Sequence, residues 1–427
     1  MTPTRVPTTA AADALPPPPT DIGASALRDA AALLWPAPAT VDVVRRRTPL
    51  PSGHRVVREH LLIPGADQPR LVVPARERRA GAAIARRRGD LGRGARVRPA
   101  AAGWAVRIGL ADALARDRMR VSVPNDAERD DVEHELAKIL GEPVVVGLSV
   151  GSPRVNRKPI LHVLDRRGRT LAFVKVGHTP SARQLVQAEA MTLTWLAEHP
   201  LPSIDVPQLL HIGLWHALQL LVLGAVGEGR RRVDVDRPPF APMRELAAID
   251  GVTHAPVSGS EFLADLRQSM SSLSDRSATQ RFAAALDRVE RSAGQTTVAF
   301  GAWHGDWTPW NMTAVGRDAE SSRVALWDWE RFDTGVPVGF DAAHYRLQAL
   351  LQEHGTAPTT EQTFLAHADA TAVDGGAITG TGALVATLYV AELTARYLTL
   401  LEGPGGAPLA RRSAWILPLL ETCAARL

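Results

Sequence analysis

The sequence predicts an α+β chain of two lobes, a small antiparallel-sheet lobe and a large, mostly helical one, preceded by a basic N-terminal extension. Three observations predict it. Short apolar stretches near 143–150, 157–165 and 170–176 are joined by turn residues such as Arg166 to Gly168, which is the pattern of a meander. From about Pro242 onward the text turns helical, with apolar residues at helical spacing. Between helices lie two apolar runs, Val298 to Trp303 and Val324 to Trp327, each ending in polar residues.

The chain has 427 residues, enough for two or three domains and a large core. Its single cysteine, Cys423, excludes an intramolecular disulfide framework and a cysteine-based zinc site, and suits a reducing cytoplasm. No apolar run reads as long enough to span a bilayer, and the N-terminus lacks the order of a signal peptide. Charge is uneven. Residues 1–120 carry 21 arginines against 10 acidic residues, so the rest is net negative although the whole is +4. Such a segment could meet nucleic acid, an acidic lipid surface or the acidic remainder of the same chain. Arginines on solvated faces are the simpler reading. Without aromatic interleaving, zinc spacing or a helix-turn-helix cue, no nucleic-acid partner is expected.

In order, residues 1–22, with Pro16 to Pro19 in a row, read as a disordered or extended tail. Residues 23–124 read as an ordered extension. It has a helix near Ser25 to Trp35, strands at 41–47, 55–62 and 70–74, an arginine-rich helix at 76–88 and a basic helix at 108–115. A helix from Asn125 or Asp126 to Leu140, stopped by Gly141, opens the next unit. After the meander come a helix at 181–198 and strands at 204–212 and 218–223. Leu223-Gly224-Ala225 would cross into the large lobe, giving divisions at 125–224 and 225–427. The large lobe holds helices at 242–248, 260–271, 278–292, 341–353, 359–370, 383–401 and 409–425.

The chemistry gathers in residues 302–341. His304-Gly305-Asp306 is followed by Asn311, then by Asp328-Trp329-Glu330. If the two apolar runs form a strand–loop–strand hairpin reversed by residues 316–322, Asp306, Asn311 and Asp328 share one mouth. Two carboxylates and an amide offer oxygen ligands suited to magnesium and nucleotide phosphates. Lys175 sits in the middle of the strand Leu171 to Val176, a costly place unless its charge is paired, and Glu189 on the next helix is the candidate partner. The simpler alternatives are an edge-strand lysine reaching solvent and a His-Gly-Asp that only closes a loop.

With the His-Gly-Asp, Asn311 and Asp-Trp-Glu spacing together, the chain from about Asn125 onward resembles the aminoglycoside phosphotransferase/choline kinase-like family, which has a protein-kinase-like fold. The resemblance does not cover the first 120 residues or so. It implies ATP- and magnesium-dependent phosphate transfer to a hydroxyl of a small molecule, such as a sugar, an aminoglycoside-like compound or an amino alcohol. By the same resemblance Asp306 would orient the acceptor and receive its proton. Asn311 and Asp328 would hold metal, and Lys175, paired with Glu189, would meet the phosphates. Asp341 would brace the catalytic segment. His304 reads as a supporting strut, and Trp303, Trp307 and Trp310 as packing residues, one of which could line the acceptor pocket. Glu261, Asp265 and Glu353 are further candidates for its wall.

The pattern departs from the family at the phosphate-covering loop. Gly147 to Ser152 lacks G-x-G-x-x-G, although backbone amides near Ser149 and Gly151 could still approach phosphate. One of Arg154, Asn156, Arg157 and Lys158 could reach the γ-phosphate. Glu330 replaces the glycine of protein kinases, which favours a small acceptor over a protein. The poor loop also leaves open a second function, a catalytically weak nucleotide-binding or scaffold protein of kinase-like architecture.

Overall fold

The computed structural model describes residues 21–67, 69, 71–86, 97–115, 117–149, 158–227, 238–314, 323–403, 410 and 413–427. It shows an α+β architecture with an N-terminal antiparallel sheet and a C-terminal helical region.

Helix α1 (Asp21–Leu34) precedes strands β1 (Thr40–Arg45), β2 (His54–Ile63) and β3 (Leu71–Pro74), helices α2 (Arg78–Arg86), α3 (Val97–Arg107) and α4 (Leu110–Leu114), and strand β4 (Asp117–Pro124). Next come α5 (Val132–Leu140), β5 (Val145–Ser149), β6 (Ile160–Leu164), β7 (Thr170–Gly177), α6 (Pro180–Glu198), β8 (Ile204–Asp205), β9 (Leu209–Trp215) and β10 (Leu218–Gly224). All of these strands except β8 form one nine-stranded sheet, in the order β1-β4-β2-β3-β5-β6-β7-β10-β9. Every pairing in it is antiparallel.

The extension therefore enters the same sheet as β5, β6 and β7. Leu71 pairs with Ser149 and Val72 with Leu148. One apolar core covers a face of both parts, with Trp35, Val72 and Val121 packed alongside Val146, Val163 and Val174. The opposite face is covered by α2 and α3, where Leu61, Val73, Ile84 and Val106 meet Val145 and Leu164. Charge joins them too. Arg58 Nε donates to the buried Glu133 at 2.5 Å, and Glu133 also accepts from the Val146 amide at 3.1 Å.

Several elements differ from the sequence expectation. Strand β4 and helix α3 were not expected. In β4 the arginines face inward, with Arg118 and Arg120 both buried. Arg120 Nε lies 3.0 Å from Glu59 and Arg118 2.7 Å from Asp112, so these arginines are paired and not on a solvated face. Helix α5 starts later than expected. Its cap is Asp131, whose carboxylate accepts from the His134 amide, and not Asn125 or Asp126. Gly141 stops it with φ 72°, as its freedom from a Cβ allows. The expected strand 204–212 is two strands in different sheets. Helix α1 already begins at Asp21, just inside the segment read as a tail; residues 1–20 lie outside the described residues.

The C-terminal, mostly helical region comprises α7 (Phe240–Ala247), β11 (Thr253–Pro256), α8 (Glu261–Ser271), α9 (Arg276–Ala293), β12 (Thr297–Trp303), β13 (Met312–Ala314), β14 (Val324–Leu326), β15 (Asp333–Pro337), α10 (Phe340–His354), α11 (Pro358–Asp374), α12 (Gly382–Glu402) and α13 (Ile416–Ala425). Phe282, Leu286, Phe340, Tyr389 and Leu420 lie in its core. Helix α12 is, by length and composition, long and apolar enough to cross a membrane, which the sequence reading did not register. Its apolar window is 61% buried, inside that core.

Candidate active site

Three short pieces of chain deliver the polar residues. The single hairpin expected from the two apolar runs does not form. Strand β12 pairs with β11 and β15, whereas β14 pairs with β13 and, in parallel, with β8. Asp306 follows β12, Asn311 precedes β13 and Asp328 follows β14 by two residues. The Trp327 amide donates to the Asn311 carbonyl at 3.0 Å, which closes the β13–β14 end beside Asp328. The proposed mouth thus exists, but two small sheets build it. The turn at 316–322 lies outside the described residues.

The first half of the site is built around Asp306. Asn311 Nδ2 donates to the Asp306 carboxylate at 2.9 Å and to its carbonyl at 3.0 Å, so the amide oxygen of Asn311 is the atom left to face a cation. His344, on the first turns of α10, lies with Nε2 3.1 Å from Asp306 Oδ1 and Nδ1 3.0 Å from the Tyr389 hydroxyl. Burial lowers the His344 pKa, which favours the neutral ring. Nε2–H then donates to Asp306, and Nδ1 accepts from Tyr389. Burial acts to raise the Asp306 carboxyl, but the hydrogen bond to His344 and the favourable electrostatics of His344 and His304 together bring the pKa below its ordinary value. Asp306 is accordingly ionised, and a third of its side chain is open.

The loop carrying Asp306 is braced from below. Asp341 accepts from the His304 amide at 2.8 Å and from the Gly305 amide at 3.3 Å. Gly305 has φ 78°, and a Cβ there would stand 2.2 Å from the Arg331 carbonyl oxygen, so only glycine fits. Arg396 donates to the Gly305 carbonyl at 2.8 Å and lies over the Trp303 ring. His304 Nδ1 accepts from the Asp306 amide at 3.2 Å. Burial pushes its pKa down to about 4, so it is a neutral strut. Trp303 and Trp307 are buried, and Trp310 is half-buried.

The second half is a charge cluster where β7, α6 and the turn after β14 meet. Lys175 Nζ lies 2.5 Å from Glu189 Oε2 and also bonds Asp328 Oδ1. Burial acts to lower the Lys175 pKa, but the two carboxylates raise it overall. Burial likewise acts to raise Asp328, and the ammonium groups of Lys175 and Lys158 hold it well below the usual carboxylate range. Asp328 has φ 76°, a left-handed conformation uncommon outside glycine, and 31% of its side chain remains exposed. The Trp329 amide donates to Glu189 Oε1 at 3.3 Å, tying α6 to the same turn. Lys158 pairs with Glu330, and burial, helped by the nearby Lys175, lowers its pKa to about 8. Carboxylate oxygens of Glu189, Asp328 and Glu330 lie within 4.8 Å of one another. Such hard oxygen donors, with the Asn311 amide oxygen, fit a magnesium ion.

The structure therefore brings Lys175, Glu189, Asp306, Asn311 and Asp328 together. Ser149 ends β5, and its hydroxyl lies 3.1 Å from His162 Nε2. Gly151, with Arg154, Asn156 and Arg157, lies outside the described residues. Glu261 and Asp265 are exposed on α8, and Glu353 is exposed near the end of α10, where it faces His354. Sequence reasoning missed His344, Tyr389, Arg396 and the place of Lys158. The first could have been found from its position three residues after Asp341, on the same helical face. A cleft of about 640 Å³ lies elsewhere, lined by Leu196, Ile204, Val206, Ala225, Gly227 and Arg323, and contains none of the residues above.

No protein-family model matches the sequence, and no curated protein matches it. Solved structures do. One is a thermostable mutant of aminoglycoside phosphotransferase APH(4)-Ia in ternary complex with AMP-PNP and hygromycin B. It is 16% identical, with a TM-score of 0.45, over 69% of this chain and 97% of that one. A choline/ethanolamine kinase family protein from Mesorhizobium loti is 14% identical, with a TM-score of 0.41, over 69% of this chain and 96% of its own. LicA in complex with AMP is 14% identical, with a TM-score of 0.41, over 68% and 97% respectively.

Proposed function

We propose that the protein is an ATP- and magnesium-dependent phosphotransferase acting on a hydroxyl of a small molecule. The observation that carries this reading is the meeting of two units. One is an ionised, partly open Asp306 held by Asn311 and His344. The other is an interlobe Lys175 bonded to both Glu189 and Asp328. Phosphoryl transfer asks for little covalent chemistry from the protein, and these units supply the positioning and charge that it does require.

A magnesium nucleotide bound here would supply the phosphoryl group and neutralise part of its charge. Asn311 and Asp328 would hold the metal through oxygen, with Glu330 close by. Lys175 would hold the nucleotide phosphates while Glu189 fixes its ammonium. Asp306 would align the acceptor hydroxyl and take its proton as the new oxygen–phosphorus bond forms and the bond to the ADP leaving group breaks. A depressed pKa makes Asp306 a weak base, so alignment matters more than basicity. We further place the division between small and large lobes near residue 224, and the protein in the cytoplasm.

The experiment is a nucleotide-dependent thermal shift with and without magnesium, followed by a screen of hydroxyl compounds for ADP release. Stabilisation by ATP that grows with magnesium, and turnover with some acceptor, are expected. Failure to bind any nucleotide would overturn the reading. Magnesium-dependent binding without turnover above Asp306→Asn would favour the scaffold alternative.

A further inference from the structure

Lys158 is a charged side chain of this cluster to which the roles above give no task. It lies two residues before Ile160, and Ile160 stands opposite Lys175 in the β6–β7 register. Side chains two apart share a face of a strand, so the approach to β6 aims Lys158 toward the face that carries Lys175. The Val176 amide donates to the Pro159 carbonyl at 3.1 Å, which fixes the backbone just beyond the strand. Only 9% of the Lys158 side chain is exposed, and its ion-pair partner Glu330 is 12% exposed.

The two lysines differ in how fully they are used. Lys175 bonds two carboxylates. Among the described residues, Lys158 Nζ and Glu330 Oε2 have no hydrogen-bonding partner beyond their mutual ion pair. An ammonium carries three donors, so most of the capacity of Lys158 is unspent in a place almost closed to water. A second ammonium beside Lys175 is also repelled by it and costs desolvation energy. An ion pair needed only for packing would be less costly away from Lys175. A polyanion arriving between the two lysines removes both costs at once.

We propose that Lys158 is a second phosphate-binding cation of this site, exchanging its ion pair with Glu330 for the β- or γ-phosphate of a nucleoside di- or triphosphate. The proposal rests on the nucleotide reading above. It makes Glu330 the anion that holds Lys158 in position until phosphate replaces it.

The test is calorimetric binding of ADP and AMP to the full chain and to Lys158→Met, Lys158→Arg and Glu330→Gln. With magnesium present, Lys158→Met is expected to lose about tenfold or more in ADP affinity, the scale of one charge-assisted hydrogen bond, and less than twofold for AMP. Lys158→Arg keeps the charge and should retain most of the ADP affinity. In EDTA, where Glu330 cannot act through a metal, Glu330→Gln should bind ADP more tightly than the parent. Unchanged ADP affinity in Lys158→Met, or equal losses for ADP and AMP, would overturn the proposal. If Lys158→Met does not fold, unchanged or weaker ADP binding by Glu330→Gln in EDTA does the same. These outcomes leave the nucleotide reading standing if the parent binds ADP; a parent that binds neither nucleotide removes both.

Discussion

His344 Nε2 lies 3.1 Å from Asp306 Oδ1, and its other nitrogen lies 3.0 Å from the Tyr389 hydroxyl. The carboxylate proposed to meet the acceptor is thus aimed by a neutral imidazole on α10, itself held by α12. Asp306→Asn keeps size and most hydrogen bonding. It should leave ATP affinity and melting temperature nearly unchanged while turnover falls by about 10²–10⁴. Steady-state kinetics beside calorimetry will check this, and a large loss of nucleotide affinity would contradict the role.

Asp328 is expected to matter for metal. Asp328→Ala should abolish the magnesium-dependent part of the nucleotide-induced thermal shift. Glu189 still neutralises Lys175 in that variant, so the fold should survive. Equal magnesium-dependent shifts in parent and variant would rule the assignment out.

Two buried groups give pH dependence of opposite sign. Burial raises Asp341 from 3.8 to about 7. Its contribution to stability is fully present below 3.8 and is lost as pH rises through 7. Burial lowers His60, beside Trp35, from 6.5 to about 3, so its contribution is present above 6.5 and is lost as pH falls toward 3. Melting curves across pH should show the parent losing stability relative to Asp341→Asn between about pH 4 and 7 as pH rises. Relative to His60→Leu, the parent should lose it below about pH 6.5 as pH falls. Differences that do not vary with pH would refute both.

Gly305→Ala tests the brace. A Cβ at 2.2 Å from the Arg331 carbonyl, in a left-handed backbone, cannot be absorbed by side-chain rotation. The loop carrying Asp306 must move, at a cost on the order of 1–3 kcal/mol. Loss of turnover with an overall fold preserved by circular dichroism is expected; full activity would show the loop to be more tolerant than its packing implies.

Much of this was legible in the sequence because periodicity and turn chemistry agree with the fold. The strands at 170–177 and 218–224, the helix at 180–198 and the grouping of Lys175, Glu189, Asp306, Asn311 and Asp328 followed from spacing and from the resemblance. Strand β4 was hidden because Arg118 and Arg120 read as solvent-facing, whereas Glu59 and Asp112 neutralise them inside. The cap at Asp131 was obscured by other candidates at Asn125 and Asp126. His344 was missed because its meaning depends on α10 delivering it to a loop 38 residues earlier, and its place three residues after Asp341 on the same helical face was the one signal available. Register between distant strands has no local signature either, so the joining of β3 to β5 could not be read.

Removing residues 1–124 should expose that join. Leu61, Leu71 and Val73 would no longer cover Val145 and Leu164, and β5 would lose a hydrogen-bonded neighbour. The remaining fragment is expected to aggregate, as bare apolar strand edges do. A monomeric, nucleotide-competent fragment by light scattering would instead make the extension an independent module.

The pairing of Leu71 and Val72 with Ser149 and Leu148 also bears on how such a chain can change over time. A strand stitched along both flanks cannot acquire or shed its neighbour by simple fusion or loss of a segment. Each cut leaves unanswered amides and carbonyls along β5, up to Ser149. The first 124 residues and the site are therefore joined through one sheet. Heat should dismantle the two in one cooperative step, because neither side of that seam retains a finished surface without the other.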